Sequence, residues 1–162
     1  MPEKPSKTNA LRLAESAGLN FEAFEYDISD GRIDANSIAE KLGRSPEEVF
    51  KTLVAEAPGH EYFVFIVPAA GELDLKKAAR ACERKSIELI PLKKLLPLTG
   101  YVHGGCSPIG MKKQFKTAIH NAAEQYDTIM FSAGKIGYQV ELPLASLQKV
   151  IPVQVADLIV EK

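Results

Sequence analysis

The sequence predicts an α+β domain: a mixed sheet with helices packed around it. Three observations lead there. Four segments carry apolar residues at helical spacing. Several short β-rich runs face each other across turn residues, as hairpins do. The two kinds of element alternate irregularly, which argues against a regular parallel βαβ sheet. A chain of 162 residues defaults to one domain, 1–162. Its 46% hydrophobic and 25% charged residues are ordinary globular composition, enough for a real core. No linker, low-complexity tract or internal repeat interrupts it.

Taken in order, Ala10, Leu13, Ala14 and Ala17 form the first helical stripe, and Gly18 stops it. Residues 21–26 alternate apolar and polar, as a half-buried strand does. Ala35, Ile38, Ala39 and Leu42 repeat the helical pattern and end at Gly43. Ser45-Pro46-Glu47-Glu48 is a capping box with proline at the first helical position, so a short helical turn is expected. Runs 52–57 and 62–67 flank Pro58-Gly59 and read as a hairpin; the second is continuously apolar, so both of its faces should be covered. Leu75, Ala78, Ala79 and Cys82 make a third helix with Asp74 as N-cap. Runs 129–131 and 138–142 flank Gly134 and Gly137 as a second hairpin, and 87–90 and 101–103 are weaker strands. The fourth helix covers 144–151, after Pro143.

Charge and cysteine content exclude several classes. Twenty Lys and Arg against 21 Asp and Glu give a net charge of -1, unlike a generic basic nucleic-acid binder. Two basic clusters, Lys112, Lys113, Lys116 and Lys76, Lys77, Arg80, Arg84, Lys85, read as solvated helix faces. Two cysteines make no disulfide framework and suit a reduced compartment. The opening MPEKPSKTNA has no apolar signal core, and no window approaches about 18 apolar residues, so a soluble cytoplasmic protein without a membrane span is expected.

The stretch 104–110, GGCSPIG, raises the chemical question. Gly105 and Gly110 have P-loop spacing, but Met111 stands where the lysine belongs, and Pro108 removes an N–H donor. No dinucleotide fingerprint occurs. His103 and Cys106 supply two metal ligands at most, with His60, His120 and Cys82 scattered, whereas zinc needs three or four; neither metal nor cofactor is expected. Ser107 is not in G-x-S-x-G, and the spacing does not aim His103 at Cys106, so Cys106 reads better as a small thiol filling a tight loop than as a nucleophile. The backbone remains. Glycines let it approach a ligand, and the N–H groups of Gly105, Cys106 and Ser107 could meet an oxyanion or ester carbonyl; a merely structural turn fits equally. Lys51, in Phe50-Lys51-Thr52-Leu53, either snorkels out of the strand or is held for an anion.

Together, five motifs resemble the YbaK/EbsC family in order and spacing. They are Phe50-Lys51-Thr52-Leu53, Gly71-x-Leu73-Asp74-Leu75-Lys76-Lys77, Thr99-Gly100-Tyr101, GGCSPIG, and Ser132-x-Gly134-Lys135-x-Gly137. The family comprises bacterial Cys-tRNA(Pro) deacylases related to the editing domain of prolyl-tRNA synthetases, and the resemblance runs from about residue 7 to 160. It implies a barrel-like mixed sheet surrounded by helices. It implies trans-editing of Cys-tRNA(Pro), and also of Cys-tRNA(Cys), because a synthetase pocket cannot reject a near-isostere strongly. A deacylase for Ala- or Ser-tRNA, or a non-catalytic tRNA- or synthetase-binding module, are the competing readings. The implied mechanism uses no enzyme nucleophile: the substrate's own thiol attacks its ester, and the protein positions it. By position, Lys51 would bind the 3′-terminal adenosine region, and Thr52 and Tyr26 the ribose or aminoacyl group. The loop with Gly104, Gly105, Cys106, Ser107 and Pro108 would hold the ester, and Ser132, Gly134 and Lys135 would form the opposite wall. Members of the family often read GGISPLG, where this chain has Cys106 and Ile109, and some carry an aspartate where this chain has Gln139. Aminoacyl-tRNA and prolyl-tRNA synthetase are the implied partners.

Overall fold

A computed structural model of the chain describes residues 8–161. Residues 1–7, on which most of the no-leader expectation rests, lie outside them. The elements run α1 (Asn9–Ser16), β1 (Glu22–Glu25), α2 (Ala35–Lys41), β2 (Phe50–Ala57), β3 (Glu61–Pro68), α3 (Leu75–Ala81), β4 (Glu88–Leu89), α4 (Leu92–Thr99), β5 (Lys116–His120), a 3-10 turn (Asn121–Gln125), β6 (Ile129–Ser132), β7 (Tyr138–Leu142), α5 (Leu144–Val150) and β8 (Val153–Ala156).

The strands divide between two sheets. One has the order β1-β7-β6 and is antiparallel throughout; the other has the order β4-β2-β3-β5-β8. In the second, β4, β2 and β3 pair antiparallel, while β3–β5 and β5–β8 are parallel. The expected mixed α+β architecture is therefore present. The ladders do not close into a barrel: among the described residues the sheets are linked by an isolated bridge, Val49 to Met130.

Strand β3 is central, and its pattern explains why it is apolar throughout. Phe63, Phe65 and Val67 face Ala78, Ala79 and Cys82 of the α3 region in one cluster. Val64 and Ile66, pointing the other way, enter two further clusters. The β2–β3 hairpin turns at Pro58–His60, where Gly59 and His60 both adopt positive φ. Helix α3 starts at Asp74, whose carboxylate accepts the N–H groups of Lys76 and Lys77 at 2.9 and 3.1 Å.

Several sequence expectations need correction. In α1 the buried residues are Ala10, Leu11 and Ala14, and Leu13 is exposed. The helix therefore rolls by one position from the expected stripe, because Thr8 caps it and ties it to the second hairpin: its hydroxyl accepts the Leu11 N–H and donates to the Ala133 carbonyl. Residues 45–48, by contrast, do form the expected short turn, closed by the Glu48 N–H on the Ser45 carbonyl at 3.0 Å. The Ser45 hydroxyl accepts from the Glu47 N–H at 3.2 Å, and β2 begins at once. Residues 101–103 are not a strand but enter a turn closed by the Gly105 N–H on the Val102 carbonyl, 3.0 Å. Helix α4 and strands β5 and β8 were not expected. Pro97 sits inside α4 and Leu92 and Leu96 face solvent, so no clean stripe marks it.

Candidate functional site

The loop 104–110 is built by close backbone approach. Gly105 packs against the β6–β7 turn so tightly that a Cβ there would lie 2.8 Å from the Ile136 nitrogen and 3.1 Å from the Lys135 carbonyl carbon. No side chain fits without separating the two segments. Tyr101 wedges between the same segments: its hydroxyl donates to the Ile109 carbonyl at 2.6 Å, and its ring abuts Gly134. Asn9 of α1 donates to the Gly110 carbonyl at 3.1 Å, while Thr8 holds Ala133. Helix α1 thus clamps the loop and the turn together.

Beside this junction lies a cleft of about 200 Å³. Its walls come from four places: α2 and the residues before it (Ile33, Asp34, Asn36), β2 (Lys51, Thr52), the loop (His103, Gly104, Cys106) and the second hairpin (Ser132, Gln139). Of the expected site residues, Lys51, Thr52, Gly104, Cys106 and Ser132 meet on it. Tyr26, Gly105, Ser107, Pro108, Gly134 and Lys135 are not on its surface. Gly105 and Gly134 stand behind it, in the contacts just described. Ser107 is fully buried, and its hydroxyl accepts the Ile109 N–H within the loop. Pro108 is buried in the same loop, and Lys135 is exposed, with its ammonium 5.2 Å from the Tyr138 ring. Tyr26 is buried against Ile38, Ala39, Val49 and Met130.

The backbone-donor expectation narrows. The Gly105 N–H is committed to Val102, whereas those of Cys106 and Ser107 have no partner among the described residues. Sequence reasoning left Asp34, Asn36 and His103 outside the site set and gave Gln139 no role. The D-x-N pattern at 34–36 is also a helix start: Asp34 caps α2 by accepting the Ser37 N–H and hydroxyl, which holds its carboxyl below the usual range.

The cleft's polar groups are largely unspent. Lys51 is half-buried and makes no hydrogen bond or ion pair among the described residues. Burial lowers its pKa, partly offset by the charge of Glu72. The Thr52 hydroxyl and the Gln139 carbonyl oxygen, both lining the cleft, are buried without a partner, as is the Tyr26 hydroxyl beneath α2. Native proteins leave few such atoms, each costing about 1–3 kcal/mol. By contrast, the one thiol on the cleft among the described residues is not primed for attack. Burial pushes the Cys106 thiol up to about 12, so it is protonated near neutrality. Among the described residues, no group of three or more His, Cys, Asp or Glu side chains converges to hold a metal.

Unpaired donors and acceptors around a small cleft, with a cation at one wall, make an arrangement chemically suited to binding and orienting a polar ligand. The chain belongs to the aminoacyl-tRNA editing domain family, whose model matches residues 33–150. It is 46% identical to the candidate Cys-tRNA(Pro)/Cys-tRNA(Cys) deacylase EbsC of Enterococcus faecalis, over 84% of this chain and 83% of that one. The fold is that of a solved candidate trans-editing enzyme for prolyl-tRNA synthetase: TM-score 0.85, 22% identity, covering 99% of this chain and all of the other. A scaffold protein used for epitope grafting has the same fold, with TM-score 0.85 at 21% identity, over 99% of this chain and all of its own. No helix among the described residues is long and apolar enough to cross a membrane.

Proposed function

We propose that the protein is a trans-editing deacylase that removes cysteine from mischarged Cys-tRNA(Pro), and also from Cys-tRNA(Cys), by cleavage assisted by the substrate's own thiol. The observation that carries this reading is the half-buried, uncommitted Lys51 beside the unpartnered Thr52 and Gln139 oxygens in one cleft. Such a site awaits an anionic and polar ligand. Lys51 meets the phosphate of the terminal adenosine. Thr52 takes the ribose or aminoacyl group, and Tyr26 supports this side of the cleft from beneath α2. The unpartnered Cys106 N–H is the backbone donor for the ester carbonyl, with Gly104 letting the backbone come near. Ser132 and Gln139 build the facing wall, with Gly134 packed behind it on Tyr101.

With the Cys106 thiol held protonated and Ser107 buried in its own loop, the reacting sulfur comes with the substrate. Its thiolate attacks the carbonyl carbon of the same residue. The C–O bond to the ribose breaks, the ribose oxygen takes the proton the thiol gave up, and a cyclic thioester leaves to be hydrolysed by water. The protein contributes orientation and stabilisation of the oxyanion. A cysteine thiol is far more nucleophilic near neutral pH than a serine hydroxyl, so the chemistry itself selects cysteine.

A chain of net charge -1 is expected to hold tRNA weakly, and association with prolyl-tRNA synthetase, in the cytoplasm where the error arises, raises the effective concentration of the 3′ end. Deacylation of Cys-, Ala- and Ser-tRNA(Pro) by purified protein tests the reading. Cys-tRNA(Pro) is expected to be lost fastest, and Lys51→Ala to lower kcat/KM by about 10- to 100-fold through lost binding of the 3′ end, as a charge-assisted contact of about 1.5–3 kcal/mol would. Faster loss of Ala-tRNA(Pro) overturns the cysteine assignment; binding without any deacylation overturns the enzyme.

A further inference from the structure

The net charge of -1 conceals a division. Residues 89–123 contain no Asp or Glu and five lysines, so this segment carries +5 and the rest of the chain -6. The segment folds as one unit. Leu95, Tyr101, Cys106, Met111 and Phe115 bury together. The Lys112 N–H donates to the Thr99 carbonyl at 3.0 Å, and the Lys112 side chain lies across Gly100 at the end of α4. The same unit contributes Leu95, His103, Gly104 and Cys106 to the cleft wall, so its outer surface begins at the cleft.

Two of the five lysines are occupied or set apart: Lys94 reaches Glu56 at 3.5 Å, and Lys116 stands on β5 in the field of Glu61. Lys93, Lys112 and Lys113 are exposed and make no ion pair among the described residues. Leu92, Leu96 and Val102 are exposed on the same unit, at 65, 51 and 44%. Free cations interleaved with exposed apolar side chains fit a nucleic-acid strand. Ammonium groups meet phosphates as point charges, and apolar surface packs on ribose and base faces.

We propose that the exposed face of α4 together with residues 100–113 is a docking surface for the sugar–phosphate backbone of RNA, leading its 3′ end into the cleft. The inference rests on the aminoacyl-tRNA reading of the cleft but concerns a surface outside it. Three phosphate contacts give a salt dependence with a log–log slope of about -2 to -3. That corresponds to roughly a 20- to 40-fold loss of affinity between about 50 and 200 mM salt.

The test uses the full chain carrying Lys93→Glu, Lys112→Glu and Lys113→Glu, with Lys76→Glu, Arg80→Glu and Lys85→Glu, exposed on α3 and just after it, as a charge-matched control. Fluorescence anisotropy with uncharged tRNA reads the surface without catalysis. Deacylation is compared on aminoacyl-tRNA and on aminoacyl-adenosine, which lacks the backbone phosphates. The triple variant is expected to lose about 2–3 units of salt slope and at least 20-fold in tRNA affinity and kcat/KM at low salt. It keeps wild-type activity on aminoacyl-adenosine, and the control variant changes neither. A wild-type slope and affinity in the triple variant overturn the proposal. So does an unchanged tRNA affinity with loss only of stimulation by a synthetase, which would assign the face to a protein partner. If the wild type cleaves no aminoacyl-tRNA, the cleft reading fails while the anisotropy result still decides the surface.

Discussion

Gly105→Ala is the sharpest test of how the site is built. The added Cβ would lie 2.8 Å from the Ile136 nitrogen, 3.1 Å from the Lys135 carbonyl carbon and 3.3 Å from the Lys135 Cα. All three are backbone atoms, so no rotamer change relieves them. Ordinary contact lies between 3.4 and 4 Å, so the loop and the β6–β7 turn must part by about 0.6–1.2 Å. Overpacking of this kind costs about 1–3 kcal/mol, or about 3–10 °C in Tm for a domain this size. The same displacement moves Gly104 and Cys106 on the cleft wall relative to Ser132. A misplacement of about 1 Å costs on the order of 100-fold in rate. Differential scanning calorimetry and single-turnover deacylation read the two effects. Gly71→Ala is the comparison: the three atoms nearest its Cβ all belong to the Ile159 side chain, 3.0–3.5 Å away and off the cleft, so it should lower Tm without changing kcat/KM. A Gly105→Ala protein with wild-type Tm and activity would refute the argument that these backbones touch and that their contact sets the cleft.

Three further outcomes follow from the same structure. Thr52→Val removes a buried hydroxyl without a partner, so Tm should rise by about 2–4 °C, from roughly 1 kcal/mol, while kcat/KM falls; a loss of both would show that the hydroxyl is already satisfied in the free protein. Cys106→Ala should leave deacylation within a few-fold. Iodoacetamide at pH 8 should label the native protein slowly, because burial pushes Cys82 and Cys106 up to about 11 and about 12; rapid loss of activity on labelling would restore an enzyme thiol to the mechanism. His120 accepts the Leu158 N–H at 3.1 Å, and burial lowers its pKa below 6.5, against the opposing charge of Asp157 and with that of Lys77. The unfolded chain therefore binds the proton first as pH falls. This contribution to stability is whole above about 6.5 and is lost as pH drops toward the folded value. His120→Asn, which keeps an acceptor but does not titrate, should flatten the Tm–pH slope between about 5 and 7; an unchanged slope would assign it to carboxylates instead.

Local chemistry made much of this protein legible in the one-dimensional chain. Asp74 and Gly18 mark helix ends because caps act within one turn, and Pro58-Gly59 marks a hairpin because its strands are adjacent in sequence. The continuous apolar run of β3 announced a strand covered on both faces. The glycines of 104–110, Lys51, Thr52 and Ser132 could be singled out because their residue types are unusual where they stand, and the motif order pointed to an editing-domain family. The rest needed tertiary structure, because it depends on neighbours distant in sequence. Strands β5 and β8 exist through parallel pairing with β3 and with each other, which no local turn signals. Helix α4 forms around an internal proline because Leu95 and Thr99 are buried by the segment that follows. Two features were decided only when loop, turn and α1 came together: that Gly105 gives the room of its missing side chain to Lys135 and Ile136, and that Gln139 lines the same cleft as Thr52. A contact across thirty residues leaves no periodicity to read, and an unpaired hydrogen-bonding atom is visible only when every possible partner has a place.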